Sequence, residues 1–206
     1  ADVPIVGDLA TVIPDLSEAL RSGTQQLPDL ADWWAVLRRL QETYPMGWTE
    51  TEDGLLAPQE VISRLSALSG PEATYVAGVG QHQMWAAQHF PFEQPLRWMT
   101  SGGLGTMGYG FPAALGVQVA HPDALVVCIS GDASWVMNMQ EMSTAMQYRL
   151  PVKSFILNNS YMGMVRQWQD FFHGSRPFGR VIAPEPERKV EFRRNRGRDD
   201  LGFRVL

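Results

Sequence analysis

Cysteine is almost absent from this chain, since Cys128 is the only one in 206 residues. A single cysteine excludes an internal disulfide and a zinc site built on several thiolates, and it is compatible with a cytoplasmic location. No apolar run approaches the roughly 20 residues that a membrane-spanning helix needs. No signal-peptide pattern opens the sequence. We therefore predict a cytoplasmic protein without a membrane segment.

Basic side chains are scarce over most of the chain. Residues 1–174 hold 8 Lys and Arg against 17 Asp and Glu, a net charge of −9. Residues 175–206 hold 9 against 5, a net charge of +4, and the two parts sum to −5. The net charge of −5 gives no hint of nucleic-acid binding, and binding of nucleic acid or anionic lipid stays open only for the basic residues 175–206.

Two polar motifs each follow a short apolar run. Gly131-Asp132-Ala133 comes after LVVCIS at 125–130, and Asn158-Asn159 comes after VKSFIL at 152–157. Short β-branched runs between turn residues are typical of buried parallel strands. Residues 135–149 are long enough for one crossover helix. The pattern predicts a βαβ unit that brings Asp132 and Asn159 to the carboxyl edge of a parallel sheet, where such sheets bind ligands.

The side chains at this edge suit a metal ion and a phosphate. Carboxylate and amide oxygens are ligands of Mg²⁺, which usually keeps substrate phosphates as further ligands. Ala133-Ser134 should open a helix whose free N–H groups favour an anion. Ordinary helix capping and a turn explain either motif taken alone. The two motifs at this spacing favour a Mg²⁺ and phosphate site.

A GxGxxG match at residues 103–108 raises the alternative of a dinucleotide-binding fold. Residues 95–101 before it begin with proline and make a poor central strand. No acidic residue ends a second strand about 20 residues later, as that fold requires. We interpret these glycines as allowing the backbone to approach a cofactor ring. The nearby histidines lack zinc-type spacing: His82, His89 and His173.

Three further stretches of sequence indicate a particular enzyme family. They read VGQHQMWAAQH at 79–89, TSGGLGTMGYG at 100–110 and GMVRQW at 163–168. With Gly-Asp-Ala and Asn-Asn, they resemble the large catalytic subunit of acetohydroxyacid synthase (acetolactate synthase), a thiamine diphosphate enzyme. The resemblance runs over residues 4–174 and covers the last third of such a subunit. It implies an α/β fold with the doubly wound parallel sheet of the thiamine diphosphate-binding domain, incomplete at the C-terminal end.

The resemblance also implies the roles of single residues. Mg²⁺ would be bound by Asp132, the Asn159 side chain and the backbone carbonyl of Tyr161. The diphosphate would be lined by Gly80, Gln81, His82, Ala133 and Ser134.

Met107 would be the apolar wedge that bends the cofactor. Without the motif, core packing would explain a methionine at this position equally well. The Gly105 carbonyl would accept from the aminopyrimidine, with Met137 nearby. Trp168, Met164 and Val165 would lie at the substrate channel.

The activity implied is the carboligation of pyruvate with pyruvate or 2-oxobutyrate, in branched-chain amino acid biosynthesis. The family takes its activating glutamate from the N-terminal domain of a partner subunit in a homo-oligomer, and the complete enzyme also contains FAD. No residue here matches that glutamate, so we expect the isolated chain to be inactive. Two alternatives stay open: another thiamine diphosphate-dependent 2-oxo acid decarboxylase or carboligase, and a non-catalytic remnant that binds only cofactor or partner subunits.

The organisation predicted from these patterns has four parts. Residues 1–23 would close a preceding central domain, 24–54 would be a connector, and 55–174 would bind thiamine diphosphate and Mg²⁺. Residues 175–206 are basic and rich in turn residues, which is typical of solvated or disordered chain. We interpret this tail as a truncated or frame-shifted reading of a longer gene.

Individual elements are predicted as follows. Residues 4–8 would end a strand and 74–79 would form one. Helices would cover 13–22, 31–40 and 111–119. A further helix would start at Pro58 with one apolar face, formed by Val61, Ile62, Leu65 and Leu68.

Overall fold

The structure is a computed structural model that describes residues 2–23, 28–49, 55–174 and 203–205. The chain divides into two compact units, Ala1–Met46 and Gly47–Leu206. The described residues of the first unit form two helices, α1 (Leu9–Ser22) and α2 (Ala31–Thr43), and neither helix contains a buried residue.

Helix α1 starts before the predicted residue 13 because Asp8 caps it. The Asp8 Oδ1 atom accepts from the backbone N–H of Ala10 at 2.7 Å, which satisfies one of the free donors of the first turn. The strand predicted at residues 4–8 is wrong, since these residues are irregular. Helix α2 continues past the predicted end at residue 40 to Thr43.

The second unit is built on a five-stranded parallel sheet in the order β2-β1-β3-β4-β5. In the described residues of this unit, six α-helices connect or flank the strands. The strands are β1 (Thr74–Ala77), β2 (Trp98–Thr100), β3 (Val126–Gly131), β4 (Lys153–Leu157) and β5 (Phe203–Val205). The helices are α3 (Pro58–Ser69), α4 (Gln81–His89), α5 (Gly110–Ala120), α6 (Asp132–Met137), α7 (Met142–Gln147) and α8 (Gly163–Phe172).

The central strands are buried on both sides, because helices cover both faces of the sheet. On β3, Val126 and Cys128 belong to a core with α5, α6 and α7. The alternate residues Val127 and Ile129 belong to a second core with α3 and α4. Cys128 is buried as predicted, and burial raises the pKa of its thiol to about 12. The predicted α/β fold with a doubly wound parallel sheet is confirmed.

The crossover between β3 and β4 is not the single helix predicted over 135–149. It consists of α6, a short 3-10 helix at Met139–Glu141, and α7. The break lies at Asn138, whose φ of −132° and ψ of 22° leave the helical region. The Asn138 carbonyl accepts from the N–H of Glu141 at 3.0 Å, which starts the tighter turn. The prediction was wrong here because one residue outside helical geometry interrupts an otherwise continuous helical segment.

Two smaller predictions concern α3 and β2, and the first needs correction. On α3, Ile62 and Leu65 are buried as predicted, but Leu68 is 86% exposed. The helix ends at Ser69 and the next residues, Pro71 and Glu72, are exposed, so the sheet does not cover this last turn. The segment predicted to make a poor central strand contains β2, which pairs with β1 at one edge of the sheet, in agreement with that prediction.

Residues 175–202 of the predicted basic tail lie outside the described residues, as do 50–54 of the predicted connector. Residues 203–205 form β5, which pairs with β4 in parallel. Among the described helices, none combines the length and the apolar character needed to cross a bilayer.

Candidate functional site

A cavity of about 190 Å³ lies at the carboxyl edge of the sheet. It is formed where β1, β3 and β4 end and where α4, α6 and α8 begin. Its lining includes twelve of the residues singled out from the sequence: Gly80, Gln81, His82, Gly105, Met107, Asp132, Ala133, Ser134, Asn159, Tyr161, Met164 and Val165. Four segments that are distant in sequence therefore meet around one space.

Two residues predicted at the site do not line this cavity. Met137 is 48% exposed in the last turn of α6, and Trp168 is 57% exposed on α8. The Trp168 ring stacks on that of Phe172, with centroids 5.0 Å apart. Conversely, sequence reasoning missed Trp85, Met162 and Gly163. Trp85 was detectable, because it follows Gln81 by one helical turn and so shares its face.

The starts of three helices line the cavity. Gln81 is the first residue of α4, Asp132 the first of α6, and Gly163 the first of α8. Free N–H groups and the helix dipole give each of these ends a partial positive charge. In the part of the chain that the structure describes, no Lys or Arg lines the cavity. An anion bound here would therefore meet backbone N–H groups rather than cationic side chains.

Asp132 and Asn159 stand at the ends of adjacent strands, as their spacing predicts. Asp132 Oδ1 accepts from the N–H of Ala133 at 3.0 Å, and Asn159 Oδ1 accepts from the N–H of Tyr161 at 3.0 Å. Burial raises the pKa of the Asp132 carboxyl, and the backbone N–H groups of Ala133, Ser160 and Asp132 itself oppose part of this rise. A bound cation would favour the ionised form and reverse the effect of burial.

The loop between β2 and α5 brings Gly105 and Met107 to the cavity. Ser101 organises this loop, since its carbonyl accepts from the N–H of Gly105 and its hydroxyl accepts from the N–H of Thr106, both at 3.0 Å. Gly105 has a φ of +65°, in the left-handed region that favours glycine. The GxGxxG match is thus a turn that exposes backbone and one methionine to the cavity.

His82, which lines the cavity, is held in a narrow space between glycines. A Cβ added to Gly131 would lie 2.9 Å from its Nδ1, and a Cβ added to Gly78 would lie 2.9 Å from its Nε2. Burial lowers the pKa of His82 to about 4, and the backbone of Gly78 opposes part of this fall. Among the described residues, its Nε2 has no hydrogen-bond partner. His82 is therefore a neutral ring, packed against glycine backbone.

The lining combines two chemistries that suit thiamine diphosphate. Helix starts, a carboxylate and an amide suit a diphosphate held through a divalent cation. Trp85, Met107, Leu157 and Met164 offer apolar contacts to a ring. Within the described residues, no three His, Cys, Asp or Glu side chains gather around a possible metal position. One carboxylate with amide and carbonyl oxygens suits a cation whose remaining ligands come from a phosphate.

Comparison with known proteins identifies relatives of this chain. Residues 78–193 match the family described as thiamine pyrophosphate enzyme, C-terminal TPP binding domain. Acetolactate synthase of Mycobacterium avium is 46% identical over 192 residues, which are 91% of this chain and 31% of that protein. The large subunit of isozyme 3 from Escherichia coli K12 is 47% identical over 178 residues, 85% of this chain and 31% of the subunit. The Corynebacterium glutamicum large subunit is 47% identical over 191 residues, 93% of this chain and 30% of the subunit.

The chain thus spans about a third of the length of the curated relatives it matches. The family match begins at Gly78, where β1 reaches the cavity, and includes every lining residue. The chain belongs to the thiamine pyrophosphate enzymes, through their C-terminal TPP-binding domain, and is similar to the corresponding part of acetolactate synthase large subunits.

Proposed function

We propose that this chain binds thiamine diphosphate with Mg²⁺ and supplies the diphosphate and metal half of an acetolactate synthase site. The complete reaction joins a two-carbon unit from pyruvate to a second pyruvate or to 2-oxobutyrate. The observation that carries the proposal is the convergence of three helix starts, Asp132 and Asn159 on one cavity. Identity of 46% to an acetolactate synthase over 91% of the chain supports the choice of reaction.

Each part of the cavity has a proposed task. Asp132, Asn159 and the carbonyl of Tyr161 would hold Mg²⁺. The starts of α4 and α6, with the Gln81 side chain, would hold the diphosphate through N–H donors, and Ser134 would line it. The Ser134 hydroxyl donates to the Val79 carbonyl at 3.0 Å, which joins α6 to the end of β1.

The other half of the cavity would position the cofactor ring. Met107 and the Gly105 carbonyl would contact it, and Met164 and Val165 would exclude water. The cofactor itself supplies the electron sink that lets a 2-oxo acid lose CO₂. Met137 and Trp168 do not line the cavity, so we propose Trp168 for the approach of the second substrate rather than for cofactor binding.

Partners of the complete enzyme belong to the same proposal. Two of the relatives described above are named large subunits, and we propose that this chain works beside another subunit as well. The activating glutamate would come from the N-terminal domain of a second catalytic subunit. FAD would be bound outside this chain's second unit.

Calorimetric titration of thiamine diphosphate into the purified chain tests the proposal. Binding should require Mg²⁺, and it should be lost in Asp132→Ala because the diphosphate charge then lacks its bridging cation. Asp123→Ala is the matched control, since Asp123 is an exposed loop aspartate outside the cavity. Binding that is equally strong without Mg²⁺, or undiminished in Asp132→Ala, would overturn the metal assignment. No binding to the folded wild-type chain would overturn the proposed cofactor site.

A further inference from the structure

Helix α8 is weakly anchored although it lines the cavity. None of its ten residues is buried, whereas α5 buries six of eleven. One face of α8 is apolar and exposed, formed by residues at helical spacing: Val165 at 38%, Trp168 at 57%, Phe171 at 71% and Phe172 at 65%. Core packing therefore contributes little to holding this helix in place, and its polar contacts contribute a larger share.

A side-chain hydrogen bond joins α8 to the opposite wall of the cavity. Gln81 Nε2 donates to Gln167 Oε1 at 3.0 Å, across 86 positions of sequence. We call this contact the Gln81–Gln167 bridge. The Arg166 contacts differ, because Asp170 lies within the same helix at 3.5 Å and Tyr161 lies just before it. Those contacts stabilise the segment internally and do not join it to α4.

The Gln81 amide is also packed against the first residue of α8. A Cβ on Gly163 would overlap the Gln81 amide oxygen, and it would lie 2.9 Å from the amide carbon. Gly163 and Gln167 are four residues apart and share one helix face. The Gln81 side chain therefore lies along the first turn of α8, opposite the exposed apolar face.

The bridge determines which atoms Gln81 offers to the cavity. A glutamine amide has two N–H donors and one acceptor oxygen. Because Gln167 accepts one donor, the nitrogen of Gln81 is held toward α8 and its second N–H is left for another acceptor. Gln81 lines the cavity, where we have proposed that an anion binds. An anionic oxygen is the acceptor that this arrangement favours.

We infer that Gln167 is a positioning residue that couples cofactor binding to the seating of α8. This inference rests on the proposed function. Gln167 does not line the cavity; it orients Gln81, and Gln81 in turn holds α8 against the cavity. By linkage, a cofactor that binds Gln81 stabilises seated α8, and seated α8 strengthens cofactor binding to the same extent.

Two measurements on the full chain test this inference. Gln167→Leu keeps the size of the side chain but removes the acceptor, and it should weaken binding of thiamine diphosphate with Mg²⁺ by about 3- to 10-fold. Amide hydrogen exchange of residues 163–172 should be faster in Gln167→Leu than in wild type without any cofactor. Cofactor should slow that exchange in wild type and much less in the variant. Gln147→Leu, an exposed glutamine on α7, is the control and should match wild type.

A double-mutant cycle separates positioning from a general structural effect. If Gln167 acts through Gln81, Gln167→Leu should have no further effect on cofactor affinity in a Gln81→Leu background. A full additional loss in that background would overturn the coupling, as would equal affinity and equal exchange in Gln167→Leu and wild type. Absence of binding to wild type would overturn the proposed function, and the inference with it. Wild-type binding with an unaffected Gln167→Leu would overturn the inference alone.

Discussion

His82 is the side chain on which glycines from the ends of two adjacent strands, β1 and β3, converge. A Cβ on Gly78, Gly80 or Gly131 would lie within 3.0 Å of its ring. These glycines follow β1, precede α4 and end β3 respectively. The ring therefore sets the spacing between strand ends that carry proposed ligand-binding groups, and glycine is needed at these positions for its lack of a side chain.

Gly131→Ala tests this packing at one residue. Gly131 has a φ of −84°, which alanine adopts readily, so the substitution should act only through overlap with the His82 ring. We expect a loss of about 1–3 kcal/mol in the free energy of unfolding, as for other overpacked sites. Gly102→Ala is the matched control, because no atom lies within 4 Å of its added Cβ. Equal unfolding midpoints in urea for the two variants would contradict this account of His82.

The pH dependence of stability tests the neutral state of His82. In the folded chain the pKa of His82 is lowered from 6.5 to about 4. Between these values the unfolded chain binds the proton and the folded chain does not, so stability is complete above pH 6.5 and is lost as the pH falls toward 4. The loss attributable to His82 should be on the order of 3 kcal/mol.

Other groups titrate in the same range, so the measurement needs a non-titrating reference. Cofactor-free wild type and His82→Asn should be unfolded in urea at pH 7 and at pH 4.5. The difference in stability between the two pH values should be smaller in His82→Asn. The same difference in both proteins would show that His82 is protonated as readily in the fold as in solution.

At the scale of elements, the strands were predictable because burial on both faces leaves a continuous apolar run. The ends of β3 and β4 agree with the ends of the predicted runs to within one residue. The position of Asp132 and Asn159 was predictable from these strands, since the carboxyl ends of parallel strands share one edge of the sheet. The interruption at Asn138 was not predictable in this way, because the residues around it keep a helical pattern while the break depends on backbone geometry.

Helix α8 marks the limit of prediction for the candidate site. Its motif identifies Met164 and Val165, which line the cavity, and also Trp168, which lies about one turn further along and is exposed. A motif names neighbouring residues together, whereas only the first turn of α8 lines the cavity. The Gln81–Gln167 bridge was missed for a different reason: a contact between residues 86 positions apart leaves no local pattern.

At the scale of the whole molecule, the two units differ in what stabilises them. Gly47–Leu206 contains both hydrophobic cores, while the helices of Ala1–Met46 have no buried residue and expose Leu9, Trp33 and Trp34. The relatives are about three times as long as the part they share with this chain. The second unit therefore has the packing of a domain in its own right and carries the whole candidate site.

At the same scale, we expect this chain alone to turn over pyruvate very slowly. In the part of the chain that the structure describes, no glutamate lines the cavity, and a missing acid–base group slows catalysis by about 100-fold or more. With saturating thiamine diphosphate and Mg²⁺, acetolactate formation should fall below that of the Mycobacterium avium relative by at least this factor. A rate within about tenfold of the relative would contradict the half-site proposal, since this gap is only 1.4 kcal/mol in the barrier. Calorimetric cofactor binding measured on the same sample shows whether an inactive chain lacks a chemical group or lacks its fold.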